Sequence, residues 1–116
     1  MAPSVIDELI EQMGAPAVAK IIRVYLRTAP RQLEALKQGV EQRDLQKVRV
    51  ALHTLKSSTR SLGGTELGEL AAEGEQLARA GDSGAFALLQ PITVAMDEFC
   101  RALSAHSCMA PEDQRR

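Results

Sequence analysis

The strongest constraint on this chain is a run of apolar positions at helical spacing that ends on two glycines. Leu45, Val48, Leu52, Leu55, Thr59 and Leu62 recur at steps of three and four residues. That spacing stacks side chains along one face of an α-helix. Gly63 and Gly64 follow, and glycine just past the last turn commonly ends a helix. Hydrophobic residues make up 45% of the chain but aromatic ones only 3%. The core is therefore built of Leu, Ile, Val and Ala, without the β-branched and aromatic runs that make strands. Helices packed on helices are the expected architecture.

The remaining segments repeat the pattern. Pro3-Ser4 opens a short first helix, with Ser4 as N-cap and Asp7 in the turn where the helix dipole favours a carboxylate. Val5, Ile6, Leu9, Ile10 and Met13 are its apolar residues, and Gly14 ends it. Pro16 suits the first turn of the next helix. There Ile22, Leu26, Ala29, Leu33, Leu36 and Val40 keep one register. Pro30 lies within that series and removes a hydrogen bond to the Leu26 carbonyl. Because the register continues across it, one kinked helix from about Pro16 to Gln42 is expected; two helices broken at Pro30 are the alternative. Asp44 caps the glycine-terminated helix. Thr65 caps a following helix whose inner side carries Leu67, Leu70, Ala71, Gly74, Leu77 and Ala78. Glycine costs about 1 kcal/mol relative to alanine there, so Gly74 points to a close helix–helix approach. Residues 80–84 form a turn. The last helix carries Ala85, Leu89, Ile92, Met96, Phe99 and Leu103, and Pro91 either kinks it or marks its true start. The reading is all-α: an antiparallel four-helix bundle with a short N-terminal capping helix. It spans residues 1–104, with a polar, flexible tail at 105–116.

The 116 residues amount to one domain. A net charge of −1 argues against nucleic acid as a partner. No apolar run approaches the roughly 20 residues of a membrane span. The first residues lack the features of a secretory signal; a free-standing protein, at which Met1 hints, and a piece of a larger protein both remain open. Two cysteines make no disulfide framework; Cys100 reads as a core residue and Cys108 as part of the tail. A reduced, cytoplasmic setting fits. His53 and His106 are far apart, and no Cys or carboxylate stands at ligand spacing, so no metal site is expected.

One histidine stands out. His53 falls off the Leu45–Leu62 stripe, on the opposite, solvent side. Arg49, Lys56, Ser57 and Arg60 surround it at i−4, i+3, i+4 and i+7, spacings that make side chains neighbours. An exposed neutral imidazole is a good nucleophile near neutral pH. Cations beside it favour a phosphoryl group, and a small residue at i+4 leaves room for one. The competing account is a chance surface histidine on a basic helix face.

The run from His53 to Gly63 resembles the signature of the histidine-containing phosphotransfer (Hpt) domains of phosphorelays, roughly His-x-Leu-Lys-Gly-Ser-x-x-x-Leu-Gly. His53, Leu55, Lys56, Ser58, Leu62 and Gly63 match it. Ser57 departs, standing where the family usually has glycine, but it is still small. The resemblance implies the bundle architecture and a proline near position 30. It implies that His53 accepts a phosphoryl group from, or passes one to, the aspartate of a response-regulator receiver domain, with a hybrid sensor kinase as a further partner, or as the larger protein of which this chain is a piece. Lys56 is the foremost charge partner, with Arg60 and Arg49 behind it.

The family also uses a Gln or Glu twenty-odd residues after the histidine to fix the ring tautomer. Glu75 and Gln76 stand at that distance. Gln76 points away from the apolar stripe of its helix and Glu75 lies at the stripe's edge, so Glu75 is chosen. Family members dock the receiver on apolar residues of the first two helices. The first helix here has more apolar residues than one stripe needs, which marks Ile10 and Met13 as a partly exposed patch; burial of all of them by the second helix is the alternative. No phosphate-binding loop or kinase motif is present, so the chain is a carrier without a cofactor of its own, and Mg²⁺ belongs to the partner receiver. It is expected to act as a monomer. Two other readings share these features: a helical adaptor that binds a partner without phosphotransfer, and a domain phosphorylated directly by a separate histidine kinase.

Overall fold

The computed structural model describes residues 4–109, and within them all regular structure is helical. Five α-helices follow one another: α1 (Val5–Met13), α2 (Ala15–Glu41), α3 (Leu45–Ser61), α4 (Thr65–Arg79) and α5 (Leu89–Ala105). Short 3-10 helices at Ser83–Leu88 and Ser107–Met109 flank α5. Pro3 and residues 110–116 of the expected tail lie outside the described residues.

Local chemistry accounts for most boundaries. The Ser4 hydroxyl accepts from the Asp7 amide at 3.2 Å and opens α1. Asp44 caps α3 by accepting from the amides of Gln46 and Lys47. Gly63, at φ 82°, takes the left-handed conformation that ends α3. Helix α2 runs unbroken through Pro30, so the single-helix expectation holds over the two-helix alternative. Its register of buried residues, not its local propensity, carries it across the missing hydrogen bond.

Three sequence expectations need correction. Thr65 is the first helical residue of α4, not its cap; Gly64 occupies the cap position, with no side-chain hydrogen bond. The amide of Gly64 instead donates back to the Thr59 carbonyl at 3.0 Å. Ala85 belongs to the 3-10 helix, which Asp82 caps at the Gly84 amide, and α5 begins only at Leu89. Pro91 thus sits in the first turn of α5, where a proline lacks no needed donor. The chain also stays ordered past Ala105. Cys108 and Met109 pack against the core, and His106 Nε2 donates to Asp7 Oδ1 at 3.2 Å while its Nδ1 accepts from the Cys108 amide. Residues 105–109 are thereby tied to the start of α1, which the polar composition of the tail did not indicate.

Helices α2 and α3 run in opposite directions, as do α3 and α4. Gly39 of α2 lies against Val48 of α3, and Tyr25 lies against Thr59. Leu52 of α3 meets Gly74 of α4, and Arg60 meets Gly68. Gly64 of α4 meets Phe99 of α5, whose ring also stands edge-on to Tyr25 at 5.6 Å. Helix α1 packs on α2, and its Val5 side chain covers Gly63. The core is aliphatic, with Val18, Ile22, Val48, Leu52 and Ile92 fully buried. Thr59 is buried among them and forms a 2.7 Å hydrogen bond with the Tyr25 hydroxyl. Burial pushes the Tyr25 phenol up to about 12, so that hydroxyl keeps its proton at any ordinary pH.

Gly64 and Gly74 mark the closest approaches. A Cβ on Gly74 would stand 2.5 Å from Leu52 Cδ1, which is the close helix contact expected there. A Cβ on Gly64 would stand 2.5 Å from Thr59 Cγ2 and 2.9 Å from two atoms of the Phe99 ring. Thr59 is β-branched and bonded to Tyr25, so it has little freedom to move. Gly64→Ala should therefore destabilise the fold by about 1–3 kcal/mol through overpacking, and alanine is also the poorer residue at a helix N-cap. Urea unfolding checks this, and a variant as stable as the wild type would show that the α3–α4 corner can relax.

Candidate functional site

His53 projects from the middle of α3 beside α4. One helical step of 100° separates it from the fully buried Leu52, so it stands at the edge of the buried face. The sequence reading put it on the far solvent side; the structure turns it toward α4 while leaving the side chain 58% exposed. This edge position lets one ring nitrogen bond to the protein while the other faces outward.

The inward partner is Glu75. Its carboxylate is only 3% exposed, yet it lies within reach of three donors. His53 Nδ1 is 2.8 Å from Oε2, Lys56 Nζ is 2.6 Å from Oε1, and Arg79 Nη2 is 3.0 Å from Oε2. The bond from Lys56, followed by those from His53 and Arg79, outweighs desolvation and holds the carboxyl down at about 2. An ionised carboxylate only accepts hydrogen bonds, so Nδ1 must carry the imidazole proton. Nε2 is left with its lone pair, pointing to solvent. Buried beside the small residues Gly74 and Ala71, Glu75 sits deeper than the stripe edge expected of it. Gln76 is exposed, as its place on the helical wheel indicates.

The other expected residues divide. Lys56 is brought to the site, but its ammonium is engaged with Glu75 rather than free beside the imidazole. Ser57 is exposed one turn after His53, with no hydrogen bond from its side chain among the described residues. Arg49 Nε donates to Gln46 Oε1 at 3.3 Å, and the Arg60 side chain lies across Gly68 of α4. Neither forms an ion pair or hydrogen bond with His53 among the described residues. Lys56 and Arg60 instead line a cleft together with Ala72, Gln76 and Arg79 of α4.

Arg79 is the residue that sequence reasoning missed. The signal was present as i, i+4 spacing from Glu75, but it became meaningful only once Glu75 was known to be buried. Val50 was missed as well: it is one turn before His53 and 51% exposed. Of the two docking candidates, Met13 is 48% exposed, whereas Ile10 is partly buried and packs against the core. Among the described residues no group of three or more His, Cys, Asp or Glu side chains could hold a metal ion, and no helix is long and apolar enough to cross a membrane.

The depressed carboxyl of Glu75 makes stability depend on pH. A group whose acidity is raised by folding stabilises the fold fully above its unfolded value, near 4.5. That stabilisation disappears as the pH falls toward 2. The stability gap between wild type and Glu75→Gln should be constant above about pH 5 and shrink steadily below it. Urea unfolding at a series of pH values checks this; a gap unchanged down to pH 3 would place the carboxyl's acidity near that of an ordinary glutamate.

The Hpt domain family model matches residues 20–106, a span that holds His53, Lys56, Glu75 and Arg79. No curated protein and no solved structure matches the chain. The match covers well over half of the sequence and falls on an all-helical chain with an exposed histidine bonded across two helices. The chain therefore belongs to the Hpt domain family, the histidine phosphotransfer domains of two-component signalling.

Proposed function

We propose that this protein carries a phosphoryl group on His53 Nε2 and exchanges it with the aspartate of a response-regulator receiver domain. The observation that carries the reading is the bond from His53 Nδ1 to buried Glu75. It fixes the tautomer in which the exposed nitrogen is the nucleophile. Phosphoryl transfer passes through a loose transition state, so position and charge are what the protein has to supply. The receiver and its Mg²⁺ supply most of the catalysis, and this chain contributes an oriented imidazole with cations beside it. Hpt domains are phosphocarriers rather than catalysts, in keeping with that division. A cytoplasmic setting, as for a partner of a hybrid sensor kinase, belongs to the same proposal.

The scaffold in this reading is an antiparallel four-helix bundle of α2 to α5, with α1 packed on α2. The opposed pairings of α2 with α3 and of α3 with α4 support it, with α5 packed on α4. The docking surface continues from the histidine toward α2. Val50 stands with Ala35, Gln32 and Gln38 of α2 along a shallow groove, and Met13 offers a further exposed apolar side chain on α1. Such a surface gives the receiver apolar contact, while the cations of the α3–α4 cleft steer its acidic site in a salt-dependent way.

Incubation with phosphorylated receiver domains, with detection of acid-labile label, tests the acceptor. His53→Gln should fold normally and take no label; label that persists, or moves to His106, would overturn the assignment. Lys56→Ala should stay folded and slow transfer by roughly tenfold, about 1.4 kcal/mol in the barrier. Ser57→Gly should transfer normally at about 0.5–1 kcal/mol of helix stability, and Ser57→Tyr should block transfer by covering Nε2. Wild-type rates in Ser57→Tyr would show that this position does not guard the site. Val50→Glu and Met13→Glu should each slow transfer at unchanged stability, because both side chains are about half exposed. Unchanged rates in both would put the receiver on another face.

A further inference from the structure

The tautomer that makes Nε2 nucleophilic raises a second question: where the Nδ1 proton goes once Nε2 is phosphorylated. Resting on His53 as the acceptor, we infer that the Glu75 carboxylate keeps that proton on the ring, so that phosphoryl transfer onto and off His53 releases and takes up no proton.

The step balances without a base. The Nε2 lone pair attacks phosphorus of an aspartyl phosphate, the Nε2–P bond forms, and the acyl P–O bond breaks. Its electron pair leaves on the aspartate as a carboxylate. The imidazole, neutral before the step, is then a phosphoimidazolium whose Nδ1–H still points at Glu75 Oε2, 2.8 Å away. A ring exposed to water alone would shed this proton near neutral pH. Here it faces the full negative charge of Glu75, whose side chain is only 3% exposed, and charge-assisted hydrogen bonds are the strong ones.

The charges around the ring favour the same outcome. Lys56 and Arg79 both contact the Glu75 carboxylate. Before phosphorylation these three groups carry one net positive charge, and a second proton on the imidazole would add another. The phosphoryl dianion reverses this. With the ring proton kept, two cations and the imidazolium match the carboxylate and the dianion, and the cluster is neutral. Without it the cluster is left with a net negative charge. Arg60 and Glu73 also line the adjoining cleft, with opposite charges. Arg49 on the other side is bonded to Gln46. Among the described residues α2, α5 and the 3-10 helices place no charged side chain in an ion pair with the cluster. Proton retention also serves the outward step. When the Nε2–P bond breaks, a protonated ring departs as neutral imidazole, whereas an unprotonated one would have to depart as the imidazolate anion.

Phosphoramidate, a small phosphodonor for histidine, loads the ¹⁵N-labelled full chain without a partner. Nitrogen and phosphorus NMR then follow the phosphorylated ring from pH 5.5 to 9. The wild-type Nδ1 should stay protonated throughout, with a flat ³¹P shift. Glu75→Gln, which keeps an acceptor oxygen but not its charge, should lose the proton between about pH 5 and 8. With a receiver present, the ratio of phosphohistidine to aspartyl phosphate should be independent of pH in the wild type. In Glu75→Gln it should rise up to tenfold per pH unit, the slope for one proton released. A phosphorylated wild-type ring that titrates between about pH 6 and 8 overturns the inference and leaves the acceptor assignment intact, whether or not the variant folds. Label that appears elsewhere than on His53 overturns the acceptor assignment and the inference together.

Discussion

A carboxylate buried between two helices is the interaction on which the site depends. Removing Glu75 from water is unfavourable unless its charge is matched. The match comes from both helices: His53 and Lys56 on α3, Arg79 on α4 itself. Each partner is individually ordinary. Together they fix the rotamer of Glu75, and through it the plane and tautomer of the imidazole. The exposed nitrogen is nucleophilic because the hidden one is committed.

That cluster in turn requires α3 and α4 to approach closely. Gly68 lets the Arg60 side chain lie flat against α4, and Gly74 receives Leu52 beside the buried carboxylate. Ala71 and Ala78 continue the row of small residues on the inner face of α4. Larger side chains would move the helices apart, and a hydrogen bond of 2.8 Å does not survive a shift of an ångström. Packing and chemistry are therefore the same constraint here: the glycine that weakens α4 by helix propensity is part of what brings the acid to the histidine.

Much of this was legible in the sequence. The apolar stripes placed all five α-helices, and the Ser4 and Asp44 caps and the Gly14 and Gly63 stops follow from local chemistry alone. His53, its neighbour Lys56 and the choice of Glu75 over Gln76 came from one motif and one helical wheel. What stayed hidden depended on contacts between segments distant in sequence. Thr65 looks like a cap, but the turn that precedes it is closed by backbone bonds to Thr59 and Arg60. Residues 105–109 look like a tail until His106 finds Asp7, ninety-nine positions earlier. Arg49 and Arg60 share the right spacing with His53, yet spacing on one helix does not say that Arg49 bonds to Gln46 or that Arg60 lies across Gly68.

Lys56 shows how the site can be both stable and available. Its ammonium contacts Glu75 in the structure, and its side chain remains 24% exposed. A lysine has three donors on a flexible stem, so engaging one carboxylate oxygen leaves hydrogens that can turn toward a phosphoryl group on the neighbouring ring. Arg79 is 58% exposed and contacts the carboxylate through one nitrogen only, leaving most of its fork open. In the proposed function, the cations that compensate the buried acid are the same ones that would meet the incoming phosphoryl group. Such an arrangement would bind the group without enclosing it, since the His53 side chain is more than half exposed. A carrier needs that balance: a pocket that completed the coordination of the phosphoryl group would hold it too tightly to pass on, whereas an open edge leaves room for the receiver to supply the remaining charge.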